Sequence, residues 1–144
     1  MRRCYYLRRS AGFTLIEMVL VVTIIGILAT ALVIQATQKT RDARRARALL
    51  DMSALEGATD TYIADNDAAP PNLAALSREP SPAPINWNGP YLKKRVDKDP
   101  WGYDYVYIVP GRYNKDSYDL ICYGADGKPG GAGYDADITN YDEE

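Results

Sequence analysis

Hydrophobic and polar positions divide the chain into stretches with different patterns. Residues 13–34 read FTLIEMVLVVTIIGILATALVI, an apolar run with one charged side chain, Glu17. At about 1.5 Å per residue, a helix of this length spans roughly 33 Å, which is close to the thickness of a bilayer core. The run therefore predicts a membrane-spanning helix.

The next stretch, residues 35–65, contains no proline and is rich in Ala, Leu and Arg. These residues favour helix, so we expect the first helix to continue through this stretch. Several small and apolar residues recur at helical spacing on one stripe, which predicts that this stripe packs against a small globular layer. The stripe comprises Ala46, Leu49, Leu50, Ser53, Ala54 and Gly57. Three large apolar residues, Met52, Leu55 and Tyr62, lie off it.

Seven of the nine prolines lie within residues 68–100, which predicts an irregular connector with a short helical turn at residues 73–76. Apolar and polar positions then alternate in residues 103–109 and again in 117–123, and this period of two is typical of β-strands. The residues between them favour a turn. The chain is therefore predicted to be an α+β protein, with a long N-terminal helix packed on a small antiparallel sheet.

The amino-acid composition excludes several classes of catalytic chemistry and argues against nucleic-acid binding. The chain has 144 residues, enough for one domain, and no histidine, which excludes Ser-His-Asp, Cys-His and His-zinc chemistry. No nucleophile and base pair is visible, so we expect no enzymatic activity. A formal charge of −2 argues against nucleic-acid binding. Of the 12 tyrosines, five lie in the predicted strands, and the alternation there favours packing in the core over stacking on bases or sugars.

The first 12 residues carry four arginines and no acidic residue. In a signal peptide, small residues follow the apolar stretch, but here Ala11 and Gly12 precede it. A carboxylate inside an apolar span costs about 2.5–3.5 kcal/mol at the membrane centre, so Glu17 needs a cationic partner. A cut between Gly12 and Phe13 would create an ammonium group that a neighbouring subunit could present to Glu17.

The string RRSAGFTLIEMVLVVTIIGILA closely resembles the class III leader and first helix of type IV pilins and type II secretion pseudopilins. The resemblance implies that a prepilin peptidase cuts after Gly12 and methylates the new amino terminus at Phe13. It implies that Glu17 is the assembly residue and that the globular part lies outside the cytoplasm. The expected organisation is a leader at 1–12, a transmembrane and assembly helix at 13–35, and a periplasmic domain at 36–144.

A basic cluster follows the predicted span and comprises Lys39, Arg41, Arg44, Arg45 and Arg47. We interpret it as a solvated turn of helix that faces lipid headgroups. Basic residues lie on both sides of the span, so the positive-inside rule does not decide the orientation. The orientation therefore depends on the leader resemblance.

The C-terminal tail, residues 116–144, carries eight acidic side chains, one basic side chain and a run of glycines. Such a segment cannot order itself by packing, so it is either a disordered tail or a loop ordered by a ligand. Carboxylates and carbonyls on a glycine-rich loop suit calcium, which takes 6 to 8 oxygen ligands. The residue spacing is not that of an EF-hand.

Residues 89–141 resemble the globular part of the major pseudopilin of type II secretion systems, a type IV pilin-like fold in which the loop after the second strand binds calcium. By position, the resemblance implies Asp126, Asp137 and Asp135 as side-chain ligands, together with the backbone carbonyl of Tyr123. Ile34 stands where many relatives have proline, which makes a helix break at this point doubtful.

Loss of the leader would remove Cys4 and leave Cys122 as the one cysteine, so no internal disulfide would hold the tail. This favours a pseudopilin, whose loop would be held by metal, over a type IV pilin. We expect a helical homopolymer at the inner membrane of a Gram-negative bacterium, with minor pseudopilins and an inner-membrane assembly platform as partners. The alternatives are a type IV pilin or minor pilin of a surface fibre, and a membrane-anchored calcium-binding module.

Overall fold

The chain folds into a long helix, a short 3₁₀ helix and a small antiparallel sheet, which confirms the predicted α+β class. The structure is a computed structural model that describes residues 12–141, apart from the side chains of residues 31–36. The predicted leader up to residue 11 and the last three acidic residues of the tail lie outside the described residues. The elements are α1 (Leu15–Asn66), the 3₁₀ helix (Leu73–Leu76), β1 (Val106–Ile108), β2 (Asp119–Cys122) and β3 (Ile138–Thr139).

Local sequence sets both ends of α1. Thr14 and Glu17 form a capping box, in which the Glu17 N–H donates to Thr14 Oγ1 and the Thr14 N–H donates to Glu17 Oε2, each at 3.3 Å. After the last helical residue, Asp67 adopts a left-handed φ of 55°, and two prolines follow shortly after. The predicted continuous helix is confirmed, and α1 passes Ile34 without a break.

The chain divides into two compact units, the first ending at Lys39 and the second beginning at Thr40. In the described part of the chain, no helix combines the length and hydropathy required of a membrane span. The predicted span includes residues 31–34, whose side chains lie outside the described residues.

The sheet has the order β1-β2-β3, with both pairs antiparallel. Val106 pairs with Ile121 in the first ladder, and Cys122 pairs with Ile138 in the second. The predicted hairpin is confirmed, although its strands are shorter than residues 103–109 and 117–123. The third strand was not predicted, because two residues are too few to show alternation.

The core lies between α1 and the sheet in the unit that begins at Thr40. The helix buries Ala48, Met52, Leu55, Ala58, Thr59 and Tyr62, and the sheet side contributes Tyr105, Tyr118, Leu120, Cys122 and Ile138. The predicted packing stripe was wrong, since Leu49 and Leu50 are 50% and 71% exposed. Small residues occur on both helix faces. The face with the larger side chains buries more apolar area, so it turns toward the sheet.

Buried tyrosines bond the sheet side to the helix. The Tyr118 hydroxyl donates to Asp60 Oδ1 at 3.0 Å, and the Tyr105 hydroxyl donates to Asp51 Oδ2 at 3.4 Å. Burial raises the pKa of both phenols, and it raises the pKa of Tyr107 to about 12. Tyr105 and Tyr118 confirm the expectation that tyrosines of the predicted strands pack in the core, whereas Tyr103 is 41% exposed.

Candidate functional site

The N-terminal motif lies on an exposed surface of the first unit. Every residue from Gly12 to Thr30 is exposed, and 76% of Phe13 is accessible. The Glu17 carboxylate is bound only locally among the described residues, through the capping box and the Thr14 hydroxyl at 3.4 Å. Both residues of the predicted assembly pair are therefore accessible to another molecule.

The loop between β2 and β3, residues 123–137 (the β2–β3 loop), is folded back on itself. Gly124 and Gly131 have positive φ angles of 66° and 94°. A Cβ atom would lie 2.8 Å from the Asp135 carbonyl oxygen at Gly124 and 2.5 Å from it at Gly131. A side chain at either position would clash with this carbonyl, so both glycines are needed for the close approach of the Asp135 backbone. The sequence suggested that these glycines make the loop flexible, but in the structure they allow it to pack closely.

The predicted calcium ligands all lie in this loop, but they differ in the hydrogen bonds that they accept. Asp126 Oδ1 accepts the Lys128 N–H at 3.1 Å, and Asp137 Oδ2 accepts the Gly130 N–H at 2.8 Å. Asp137 Oδ1 is buried and has no hydrogen-bond partner within residues 12–141. Asp135 is exposed, and Tyr123 directly follows β2. The described residues contain no group of three or more His, Cys, Asp or Glu side chains placed to hold a metal.

Two arginines of the basic cluster contact the same loop. Arg45 Nη1 donates to the carbonyls of Gly133 at 3.1 Å and Ala136 at 3.2 Å. The guanidinium of Arg41 lies 5.2 Å from the ring centroid of Tyr134. The interpretation of the cluster as a solvated turn was therefore wrong for Arg45, which is half-buried against this loop, whereas Arg41 is exposed as well as in contact with Tyr134. Nothing in the sequence pattern related a helix arginine to a loop 88 residues further on.

A second carboxylate organises the loop between β1 and β2. Asp119 is fully buried, and it accepts the N–H groups of Arg112, Tyr113 and Asn114. Burial alone would raise the pKa of Asp119, but the three backbone donors and the Arg112 charge outweigh burial and lower that pKa. Sequence reasoning missed this role, although an acid inside the apolar stretch SYDLICY was a usable signal.

Asp99 holds the turn before β1 in the same way. Its Oδ1 accepts the N–H groups of Trp101, Gly102 and Tyr103 at 2.7–2.9 Å. Its Oδ2 lies 3.5 Å from Cys122 Sγ, and burial, together with Asp99, raises the pKa of the Cys122 thiol to about 11. The buried thiol is protonated at neutral pH, so Cys122 serves packing and is not an activated nucleophile.

Comparison with known proteins identifies the family. The family model described as "Type II secretion system (T2SS), protein G" matches residues 35–141, and the prokaryotic N-terminal methylation motif matches residues 7–33. The chain belongs to the type II secretion system protein G family. Core protein G of Pseudomonas aeruginosa is 44% identical over 140 residues, which cover 94% of this chain and 97% of the relative. Core protein G of Vibrio cholerae is 43% identical, with 94% of each chain covered.

A solved structure agrees with this membership. The major pseudopilin from the type 2 secretion system of enterohaemorrhagic Escherichia coli is 33% identical, with a TM-score of 0.56 over 72% of this chain and 91% of that chain. The predicted family is confirmed, and with it the function as a major pseudopilin. The relatives are named as secretion-system core proteins and not as enzymes.

Proposed function

We propose that this protein G family member is the main structural subunit of a pseudopilus that drives export of folded proteins across the outer membrane. The observation that carries the proposal is the exposure of every side chain from Phe13 to Thr30 on an apolar helix. Such a surface is unfavourable in water, so it requires lipid before assembly and other subunits after it. A helical homopolymer meets that requirement with one repeated contact.

Processing would release the subunit for assembly. Prepilin peptidase cuts between Gly12 and Phe13 and methylates Phe13. Residues 13–35 then anchor the subunit in the inner membrane, and residues 36–144 form the periplasmic domain of a Gram-negative bacterium. Minor pseudopilins and the inner-membrane assembly platform complete the set of partners.

Glu17 would guide assembly by exchanging partners. In the single chain its carboxylate accepts the Thr14 N–H as part of the capping box. In the filament it would pair with the amine of Phe13 on a neighbouring subunit, in a low-dielectric environment where the attraction is strong. The pairing would select subunits offset along a common axis and exclude other registers.

Calcium would order the β2–β3 loop. The buried and unpartnered Asp137 Oδ1 supports this proposal, because a buried acceptor without a partner is costly and calcium binds such oxygens. Asp126, Asp135 and the carbonyl of Tyr123 would contribute further oxygens. Calcium accepts backbone carbonyls and waters as ligands, so the site does not require three clustered carboxylates.

The assembly proposal is tested by replacing Glu17→Lys in the full chain, in a strain that lacks the native gene. Lysine would repel the neighbour's amine, so we expect a processed, membrane-inserted protein that forms no pseudopilus and does not restore exoprotein secretion. Electron microscopy after overexpression and assays of secreted enzyme measure the two losses. Mass spectrometry should find a chain that begins at methylated Phe13.

Glu79→Lys is the matched control, because it makes the same charge change at an exposed position outside the apolar helix. It should leave both filaments and secretion intact. Wild-type filaments and secretion in the Glu17→Lys strain would contradict the pairing. Surface fibres at natural expression, with normal secretion in the deletion strain, would contradict a pseudopilus and favour a type IV pilin.

A further inference from the structure

One guanidinium joins α1 to the end of the β2–β3 loop. Arg45, on α1, is half-buried and donates through Nη1 to two carbonyls, those of Gly133 and Ala136. The two carbonyls flank Tyr134 and Asp135, so one side chain restrains four consecutive residues. A hydrogen bond to a charged group contributes more than a neutral one, so this contact is a strong local restraint.

The ring of Tyr134 gives the same segment a second attachment. Arg41 lies over this ring, and the Tyr134 hydroxyl accepts the Trp101 indole N–H at 2.7 Å. The Trp101 and Tyr134 rings also meet edge to face, with centroids 5.7 Å apart. Trp101 belongs to the turn that Asp99 holds. The segment is therefore held from the helix on one side and from a fixed turn on the other.

The segment that Arg45 restrains, residues 133–136, lies directly before the carboxylate with the unpartnered oxygen. Asp137 directly follows Ala136, and its Oδ2 is held by the Gly130 N–H while Oδ1 has no partner in the described residues. A hydrogen bond at Ala136 therefore limits the positions that Asp137 can take. Arg45 also occupies the carbonyl oxygens of Gly133 and Ala136, so it competes with calcium for these two oxygens.

We propose that Arg45 is a positioning residue for calcium, an inference that rests on the proposed calcium site. Arg45 restrains residues 133–136 before the metal arrives, presents Asp137 Oδ1, and directs calcium away from the carbonyls of Gly133 and Ala136. Two effects oppose each other. The positive charge of Arg45 weakens cation binding, whereas a loop ordered in advance loses less entropy when it binds. The two carbonyl contacts make the ordering effect the larger one.

Two substitutions separate charge from geometry. Arg45→Gln removes the charge, and Arg45→Lys keeps it but lacks the planar guanidinium that can serve two carbonyls. If ordering dominates, both variants bind calcium about tenfold more weakly than wild type, which corresponds to about 1.4 kcal/mol. If repulsion dominated, Arg45→Gln would bind calcium more tightly and Arg45→Lys would match wild type.

The experiment is a calorimetric titration of the purified full chain, in detergent micelles, with calcium chloride. Arg44→Gln is the matched control, because it removes the same charge from the adjacent, exposed helix position. We expect it to keep the wild-type affinity. Hydrogen exchange in chelator supplies a second measurement: the amides of residues 133–137 should exchange faster in both Arg45 variants, while the amides of β2 remain protected.

Each outcome supports or overturns the proposal. Equal calcium affinity in wild type and Arg45→Gln would overturn the positioning role and leave the calcium site standing. Equal weakening in Arg44→Gln and Arg45→Gln would show that the loss does not depend on the two carbonyl contacts of Arg45, and it would overturn the role as well. Wild type that binds no calcium would overturn the calcium site and the positioning role together. Loss of β2 protection would show that Arg45 supports the whole fold, which also overturns a role specific to the loop.

Discussion

Two loops that flank β2 use aspartate in opposite ways. In the loop between β1 and β2, residues 109–118, the carboxylate of Asp119 accepts three backbone N–H groups. In the β2–β3 loop, Asp137 accepts one N–H and leaves a buried oxygen without a partner in the described residues. The first loop contains the donors that its carboxylate needs. The second lacks a donor for this oxygen within the described residues, and this difference is the basis of the proposed calcium site.

The difference predicts how each loop responds to its surroundings. A hydrogen bond to a charged group stabilises by about 1.5–3 kcal/mol, and a buried polar group without a partner costs about 1–3 kcal/mol. The β1–β2 loop should therefore be ordered whether or not a cation is present. Order in the β2–β3 loop should depend on the concentration of calcium.

The largest effect should come from Asp119→Ala. The substitution leaves three backbone donors without their acceptor, so we expect the free energy of unfolding to fall by about 3 kcal/mol, equally with calcium and with chelator. Urea unfolding of the full chain in mild detergent, followed by circular dichroism, measures the change. A loss that calcium reverses would contradict the comparison.

Asp116→Ala is the control, because it removes an exposed acid from the same loop and should cost less than about 0.5 kcal/mol. Acid adds a second check. The pKa of Asp119 is lowered in the folded state, so its stabilisation is present above the unfolded pKa of about 4 and is lost as pH falls through the lower folded pKa. Asp119→Ala should remove this part of the acid sensitivity.

Calcium should have the next largest effect. If the metal binds only the folded loop, it raises the unfolding free energy of the full chain by about 2.7 kcal/mol at one hundred times its dissociation constant. Asp137→Asn should abolish this gain, because the amide oxygen can still accept the Gly130 N–H but the charge is gone. Asp126→Asn should reduce it. Magnesium should substitute poorly, because its smaller octahedron does not suit a carbonyl-rich loop.

Thermal melting with chelator and with calcium measures these gains. Asp97→Asn is the charge-matched control, since this aspartate pairs with Arg95 on the surface. It should keep the full calcium response. Wild type with the same melting temperature in both conditions would show that the loop is held without metal, and the contrast between the two loops would then fail.

The smallest expected effect is a difference in stability between alanine substitutions at two glycines of the β2–β3 loop. Gly130 and Gly131 have nearly equal φ angles, 91° and 94°, so alanine strains the backbone similarly at both. At Gly131 the new Cβ also meets the Asp135 carbonyl, whereas at Gly130 it has open space. Gly131→Ala should therefore destabilise the chain by about 1 kcal/mol more than Gly130→Ala in calcium buffer. Equal melting temperatures would show that the close approach at Asp135 has no energetic role.

Patterns that act over short distances were predictable from the sequence. The uninterrupted helix, the 3₁₀ turn and the hairpin follow from proline placement, alternation and turn residues. The leader motif and the resemblance over residues 89–141 identified the family, which the comparisons confirm. The candidate ligands Asp126, Asp135 and Asp137, like the pair Phe13 and Glu17, remain predictions about what this family member binds.

Relations between distant residues were decided by the tertiary structure. Both faces of α1 after the basic cluster carry apolar and small residues, so periodicity could not tell which face meets the sheet, and the wrong one was chosen. The tyrosines of the sheet side share the core with the face that carries Met52, Leu55 and Tyr62, because these larger side chains bury more apolar area. In the same way, Asp119 and Arg45 acquire their roles from backbone groups that folding brings to them. Local sequence specifies a helix or a strand through short-range sterics and hydrogen bonds, whereas a partner that lies far along the chain is determined by packing.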